Sequence, residues 1–163
     1  MKARIATAAG TALGALGLLG AFAAPAAAAP LRNCAINLDT GAATCASSED
    51  RAVRAVGAQA SLVITRVYAQ ANYGTGGKVL AFTQARECTP GYDAEWQWDD
   101  LSVTSAGDMN NAISSVHTYH QCDVKLFDGK NFTGASSTWI DEAPVLGNIG
   151  DGWGNRASSI KFS

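Results

Sequence analysis

The stretch Asn110-Asn111-Ala112-Ile113-Ser114-Ser115 decides the fold, because it returns near the C-terminus as Gly154-Asn155-Arg156-Ala157-Ser158-Ser159. Each copy runs directly into a short apolar, outward, apolar alternation: Val116-His117-Thr118 after the first and Ile160-Lys161-Phe162 after the second. That alternation is the period of a half-buried strand. One loop-to-strand unit is therefore used twice.

Upstream of each loop lies a second repeated feature. Phe127 and Phe132 stand five residues apart with Gly134 two beyond, and Tyr68 and Tyr73 have the same spacing, followed by Gly74, Gly76 and Gly77. Two aromatics bracing a folded-over turn, with glycine where φ must be positive, describe a tight hairpin. An aromatic-turn-glycine hairpin followed at a distance by N-N-x-x-S-S resembles a Greek-key motif of the βγ-crystallin family, and two such motifs in tandem resemble one complete domain of it. The resemblance spans residues 61–163. It implies an all-β, two-sheet Greek-key sandwich, and the short strands expected at Ser61 to Tyr68, Lys78 to Phe82, Cys122 to Phe127, Ser136 to Ile140 and Ala157 to Phe162 agree with that. The second loop departs from the family pattern at Gly154, where Asn or Asp is expected.

The family resemblance also implies a use for the paired loops. Side by side, they would hold calcium between them, with Asn110, Asn111, the Ala112 carbonyl and Ser114 from one loop, and Asn155, the Arg156 carbonyl and Ser158 from the other. Ser115 and Ser159 would be structural, bonding into the folded hairpins. Calcium takes six to eight oxygens, and affinity falls as ligand charge falls. Neutral Asn and Ser ligands, with Gly154 supplying no side chain, place any affinity at the weak end, about 10⁻⁴ to 10⁻³ M. Loops that serve only as scaffold are the other reading.

The first copy is longer by about 15 positions, and residues 86–100 hold the surplus. This insertion contains Cys88, a Pro90-Gly91 turn, and Trp96 and Trp98, which share a face if the chain is extended. Secreted relatives of the crystallin fold include metalloprotease inhibitors and toxin-like proteins. A rigid loop bearing Pro90, Trp96 and Trp98 would suit such a protein partner, since preorganisation avoids the ordering cost of binding. Alternatively, the two tryptophans plug the sandwich edge. Trp139 and Trp153 are read as core before they are read as a sugar-stacking surface.

Working outward to the N-terminus, Met1-Lys2-Ala3-Arg4, an Ala-rich apolar run and Pro25-Ala26-Ala27-Ala28 read as a secretory signal peptide over residues 1–28. A secreted, extracellular protein with no membrane span after cleavage is the expectation. Residues 29–60 form an appendage of a hairpin, Cys34 to Cys45 around Asp39-Thr40-Gly41, and a short helix over Ser47 to Gly57 with Val53 and Val56 on its apolar face. The four cysteines allow three pairings, of which Cys34–Cys45 and Cys88–Cys122 fit the hairpin and the insertion best.

The whole chain has 12 Lys and Arg against 14 Asp and Glu, a net charge of −2, and without Lys2 and Arg4 the balance is about −4. With no basic run, it lacks the footprint that phosphate binding needs, so nucleic acid is excluded as a partner. No catalytic residue is nominated: the serines have no histidine arranged beside them, and His117 and His120, three apart on a strand, would face opposite sides. A monomer is expected.

Overall fold

The computed structural model describes residues 33–57, 62–102 and 108–163. The expected signal peptide, the start of the appendage and the junction at 60/61 fall outside the described residues. Among the described residues, nine strands form two sheets, and the only helix longer than a single turn is α1 (Glu49–Ala55).

The crystallin-like part builds both sheets from both repeats. In the first, β3 (Leu62–Tyr68) and β4 (Val79–Gln84) pair antiparallel, β6 (Ser115–Thr118) lies on the other side of β3, and β5 (Trp96–Trp98) crosses to the second sheet. In the second, β7 (Val124–Phe127) and β9 (Ser159–Phe162) pair in the second sheet, while β8 (Glu142–Ala143) crosses back to pair with β6. Each repeat thus lends its third strand to the other repeat's sheet. This is the two-sheet Greek-key sandwich that the sequence implied. The expected strand at Ser136 to Ile140 is reduced to single bridges, Phe127 with Ser136 and Val124 with Ile140.

Strand alternation selects the core. From β4 come Leu80 and Phe82, from β3 Ile64 and Val67, from β7 Val124 and Leu126, and from β9 Ile160 and Phe162, all buried in one cluster. The rings of Phe82 and Phe162 meet across the sheets at 4.7 Å. Such a core burial, at about 25 cal/mol per Å² of apolar surface, is the main stabilising contribution.

The N-terminal residues are more than an appendage resting on this body. β1 (Asn33–Asn37) and β2 (Ala43–Ala46) form the expected hairpin, but β1 also pairs in parallel with β4, which gives the first sheet the order β2-β1-β4-β3-β6-β8. The hairpin thereby covers the edge that β4 would otherwise expose. Cys34 and Ile36 face the main core, whereas Ala35 points the other way and meets α1 (Glu49–Ala55). Ala52 and Val56, four apart, carry the buried face of α1 against Ala35 and Ala81, with Val53 only half-buried beside them. Small side chains there let the helix lie close on the sheet. Glu49 adds an ion pair to Arg66 of β3 at 2.7 Å.

Both disulfides form as the sequence indicates, Cys34–Cys45 within the hairpin and Cys88–Cys122 between the insertion and the junction of the repeats. Two such bridges fit an oxidising compartment. Among the described residues, no helix is long and apolar enough to cross a membrane.

Candidate functional site

The hairpins set the position of the loops. In the first, Asn72 and Tyr73 adopt φ of +55° and +57°, and in the second, Asn131 and Phe132 adopt +53° and +60°. The aromatic pairs match as closely: Tyr68 and Tyr73 meet edge-on at 5.7 Å, and so do Phe127 and Phe132. The Ser115 hydroxyl donates to the Gln70 carbonyl at 2.7 Å and accepts from the Tyr73 N–H at 3.1 Å. At the corresponding place, the Ser159 hydroxyl donates to the Gly129 carbonyl at 2.7 Å and accepts from the Phe132 N–H at 3.0 Å. Ser115 and Ser159 are both fully buried, and each hydroxyl satisfies two backbone groups of its partly buried hairpin.

The glycines are not equivalent. Gly134 has φ of +76°, and a Cβ there would collide with the Asp128 carboxylate, so glycine is required for conformation and for space. Gly74, Gly76 and Gly77 have no positive φ. A Cβ at Gly74 would instead run into the Gln70 side chain at 2.7 Å.

Past the hairpins, the two Asn/Ser loops lie against each other through a reciprocal pair of bonds. The Asn111 N–H donates to the Ala157 carbonyl at 2.9 Å, and the Asn155 N–H donates to the Ile113 carbonyl at 2.8 Å. Asn111 and Asn155 are both left-handed, at φ of +52° and +58°, a conformation that Asn tolerates better than most residues. Two junctions result, Asn155 beside Ile113-Ser114 and Asn111 beside Ala157-Ser158.

At the first of these junctions three oxygens converge. Ser114 Oγ lies 3.0 Å from Asn155 Oδ1 and 3.1 Å from the Ala69 carbonyl oxygen. A hydroxyl has one proton to donate, so at any instant one of the two contacts has no proton between its oxygens. Such a cluster of neutral oxygens suits a hard cation. In the same loop Asn110 Oδ1 is buried without a hydrogen-bond partner, while the Asn110 N–H is held by Asp108 Oδ1 at 2.8 Å. Sequence reasoning named Asn110, Ser114 and Asn155 but missed Ala69, whose contribution is a backbone carbonyl brought in by the hairpin; residue type carries no signal for that.

The second junction differs. The corresponding carbonyl would come from Asp128, but here the Arg156 guanidinium takes up the Asp128 side chain at 3.2 Å, Asp151 at 3.3 Å and the Gly152 carbonyl at 2.8 Å. It also lies over the Trp153 ring at 4.5 Å. Ser158 is buried and its hydroxyl makes no hydrogen bond among the described residues. The guanidinium thus engages both carboxylates that could otherwise ligate a cation here. Gly154 has a packing reason as well: a Cβ there would lie 3.3 Å from the Gly147 amide nitrogen. Trp153 is buried in the core.

The other nominated residues are placed as follows. Trp96 and Trp98 belong to β5, paired with β9, and are half-buried. Trp96 is covered by the Arg86 guanidinium at 4.1 Å, and the Trp98 indole donates to the Asp100 carbonyl at 3.0 Å. They are strand residues at the sandwich edge and not the tip of a loop. The surplus of the first repeat lies mainly ahead of them, between Gln84 and Trp96, and Pro90 stands there exposed. His120 is not on a strand with His117: β6 ends at Thr118 and His120 sits in a turn at φ of +60°, 3.5 Å from Glu87, whereas His117 meets Glu142 at 3.5 Å. The two histidines are separated by the turn, not by strand alternation.

In comparison with solved structures, the chain is similar to a double mutant of a βγ-crystallin domain from Clostridium beijerinckii, with 26% identity over 61% of this chain and 94% of that one and a TM-score of 0.44. It is also similar to a βγ-crystallin domain from Flavobacterium johnsoniae, with 25% identity over 61% of this chain and 93% of that one and a TM-score of 0.43. A third is a beta gamma crystallin from Ciona intestinalis, with 23% identity over 61% and 98% of the two chains and a TM-score of 0.43. No family model and no curated protein matches the chain.

Proposed function

We propose that this is a secreted, non-enzymatic, crystallin-like protein whose first loop junction binds calcium weakly and thereby stabilises the fold. The observation that carries the reading is the meeting of Ser114 Oγ, Asn155 Oδ1 and the Ala69 carbonyl within 3.1 Å with a single proton among them. Ala112, whose carbonyl lies in the same loop, and water would complete the shell. With neutral ligands the affinity belongs at the extracellular end of the scale, about 10⁻⁴ to 10⁻³ M. Calcium there would tie the first hairpin to the second loop, so its benefit would be to stability.

One site per chain follows from the same reasoning, since Arg156 engages the carboxylates beside the other junction. The test is thermal unfolding in excess EDTA and then in millimolar calcium, for the native chain and for Ser114→Ala. A ligand at a hundredfold excess over its Kd stabilises the native state by about 2.7 kcal/mol, and by less at lower excess. A calcium-specific rise in melting temperature, absent in Ser114→Ala, is the expected result. An equal rise in both proteins would remove the assignment.

The second reading, an inhibitor of a secreted metalloprotease acting through residues 86–100, is supported at its N-terminal end only. The Cys88–Cys122 bridge holds that end rigid and Pro90 and Tyr92 are exposed on it, but Trp96 and Trp98 are committed to β5. A variant lacking Pro90 to Tyr92 that still inhibits would remove the loop as the inhibitory element.

A further inference from the structure

The same end of the insertion forms one wall of a cleft of about 350 Å³, lined by Thr89, Pro90, Gly91, Tyr92, Gln121 and Asp123. Both walls are fixed by one covalent bond, since Cys88 precedes Thr89 and Cys122 stands between Gln121 and Asp123. The surroundings add to this. The Thr89 N–H and hydroxyl both donate to Glu95 Oε1, at 2.6 and 2.7 Å, and the Ser163 hydroxyl donates to the Gly91 carbonyl. Asp123 and Ser163 exchange a pair of backbone bonds at 2.7 and 3.0 Å. The cleft is therefore built before any ligand arrives, which avoids the ordering cost of binding.

Its chemistry is selective. Tyr92 is 73% exposed, and its ring lies nearly parallel to that of Trp139, 13° between planes and 6.0 Å between centroids. Trp139 stacks on the ring of this cleft residue from outside the lining. In the same lining, Gln121 offers an amide whose nitrogen is held by Glu87 at 3.2 Å, and Asp123 offers a carboxylate that accepts no hydrogen bond among the described residues. Partial burial, with Asp141 nearby, raises the pKa of Asp123, so the carboxylate gains from a new donor. Among the described residues, no Lys, Arg or His lines the cleft, which disfavours phosphate, sulfate and other anions.

An aromatic face with a carboxylate and an amide within reach matches a neutral pyranose. Such a ring with equatorial hydroxyls has an apolar face of axial hydrogens to lay on tyrosine and an edge of hydroxyls to donate to a carboxylate. We infer that this cleft is a carbohydrate subsite for β-linked oligosaccharides of the glucose or N-acetylglucosamine type. The site lies apart from the loop junction and does not depend on the calcium reading.

The test uses the oxidised, full-length mature protein, titrated with cellotetraose and with N,N′,N″,N‴-tetraacetylchitotetraose, in EDTA and again in calcium, and followed by NMR. At least one sugar should shift the Tyr92, Gln121 and Asp123 signals and the Trp139 indole at millimolar concentration, equally with and without calcium. Tyr92→Ala should weaken binding by about tenfold or more with an unchanged melting temperature, since the ring is exposed, and Tyr92→Phe should retain it. The proposal is overturned if neither sugar shifts these signals, or if binding survives Tyr92→Ala. It is equally overturned if spermine shifts the cleft signals while the sugars do not, which would make it a site for organic cations.

Discussion

The two Asn/Ser loops are the same in backbone and opposite in chemistry. Ser115 and Ser159 each hold one hairpin by the same two bonds, to within 0.1 Å, and Asn111 and Asn155 turn the chain with nearly the same positive φ. The atoms facing the junctions do not match: neutral oxygens from Ser114, Asn155 and Ala69 on one side, and the Arg156 guanidinium with Asp128 and Asp151 on the other. The lesson is a separation of tasks. The last serine of each motif belongs to the fold, and the residues before it are free to differ in chemistry.

The largest test of the equivalence is to remove each structural hydroxyl. Ser115→Ala and Ser159→Ala each remove two hydrogen bonds to partly buried backbone groups, at about 0.5–1.5 kcal/mol for each bond. Chemical denaturation should show similar losses for the two. A loss confined to one would break the structural half of the comparison.

The difference in chemistry is tested by taking away the positive charge. Arg156→Gln should open the second junction, raising the calcium stoichiometry in titration calorimetry from one towards two. Its affinity for the new site should improve by about tenfold, equivalent to about 1.4 kcal/mol. An unchanged stoichiometry would show that Gly154 or the geometry, and not charge, disables the second site.

Smaller effects separate the hairpins by pH. In the first hairpin, burial pushes the Tyr68 hydroxyl up to about 12 from its ordinary 10.0, and the matching position in the second is Phe127. The neutral phenol is therefore favoured by folding, so stability is fully present below pH 10.0 and falls as pH rises towards about 12. Tyr68→Phe should flatten that alkaline fall. In the second hairpin, Lys130 bonds Asp100 at 2.8 Å and, with Ser102, holds its carboxyl down to about 2 from 3.8. That contribution is present above pH 3.8 and is lost as pH falls through about 2. Asp100→Asn should lessen the acid sensitivity of the melting temperature. Identical pH profiles for each variant and the native chain would remove the distinction.

Much of this architecture was legible in the sequence because local chemistry decided it. The aromatic spacing, the Asn residues that turn left-handed and the serine pairs all act within a few residues or through a repeat, and both disulfides followed from a hairpin and an insertion. What escaped depended on distant backbone. Ala69 enters the junction through its carbonyl, Gly154 is set by the approach of Gly147, and β1 joins the sheet by pairing with β4, more than forty residues away in sequence. Trp96 and Trp98 read as a plug of the sandwich edge or as a binding loop, because alternation in three residues fits both.

The most direct measurement is a calcium titration of the ¹⁵N-labelled native protein, following the backbone amides of the two loops separately. The account predicts that Ala112, Ile113, Ser114 and Asn155 shift together at millimolar calcium while Arg156, Ala157 and Ser158 follow weakly or not at all. Equal shifts at Ser114 and Ser158, shifts at Ser158 first, or no shift in either loop would contradict it.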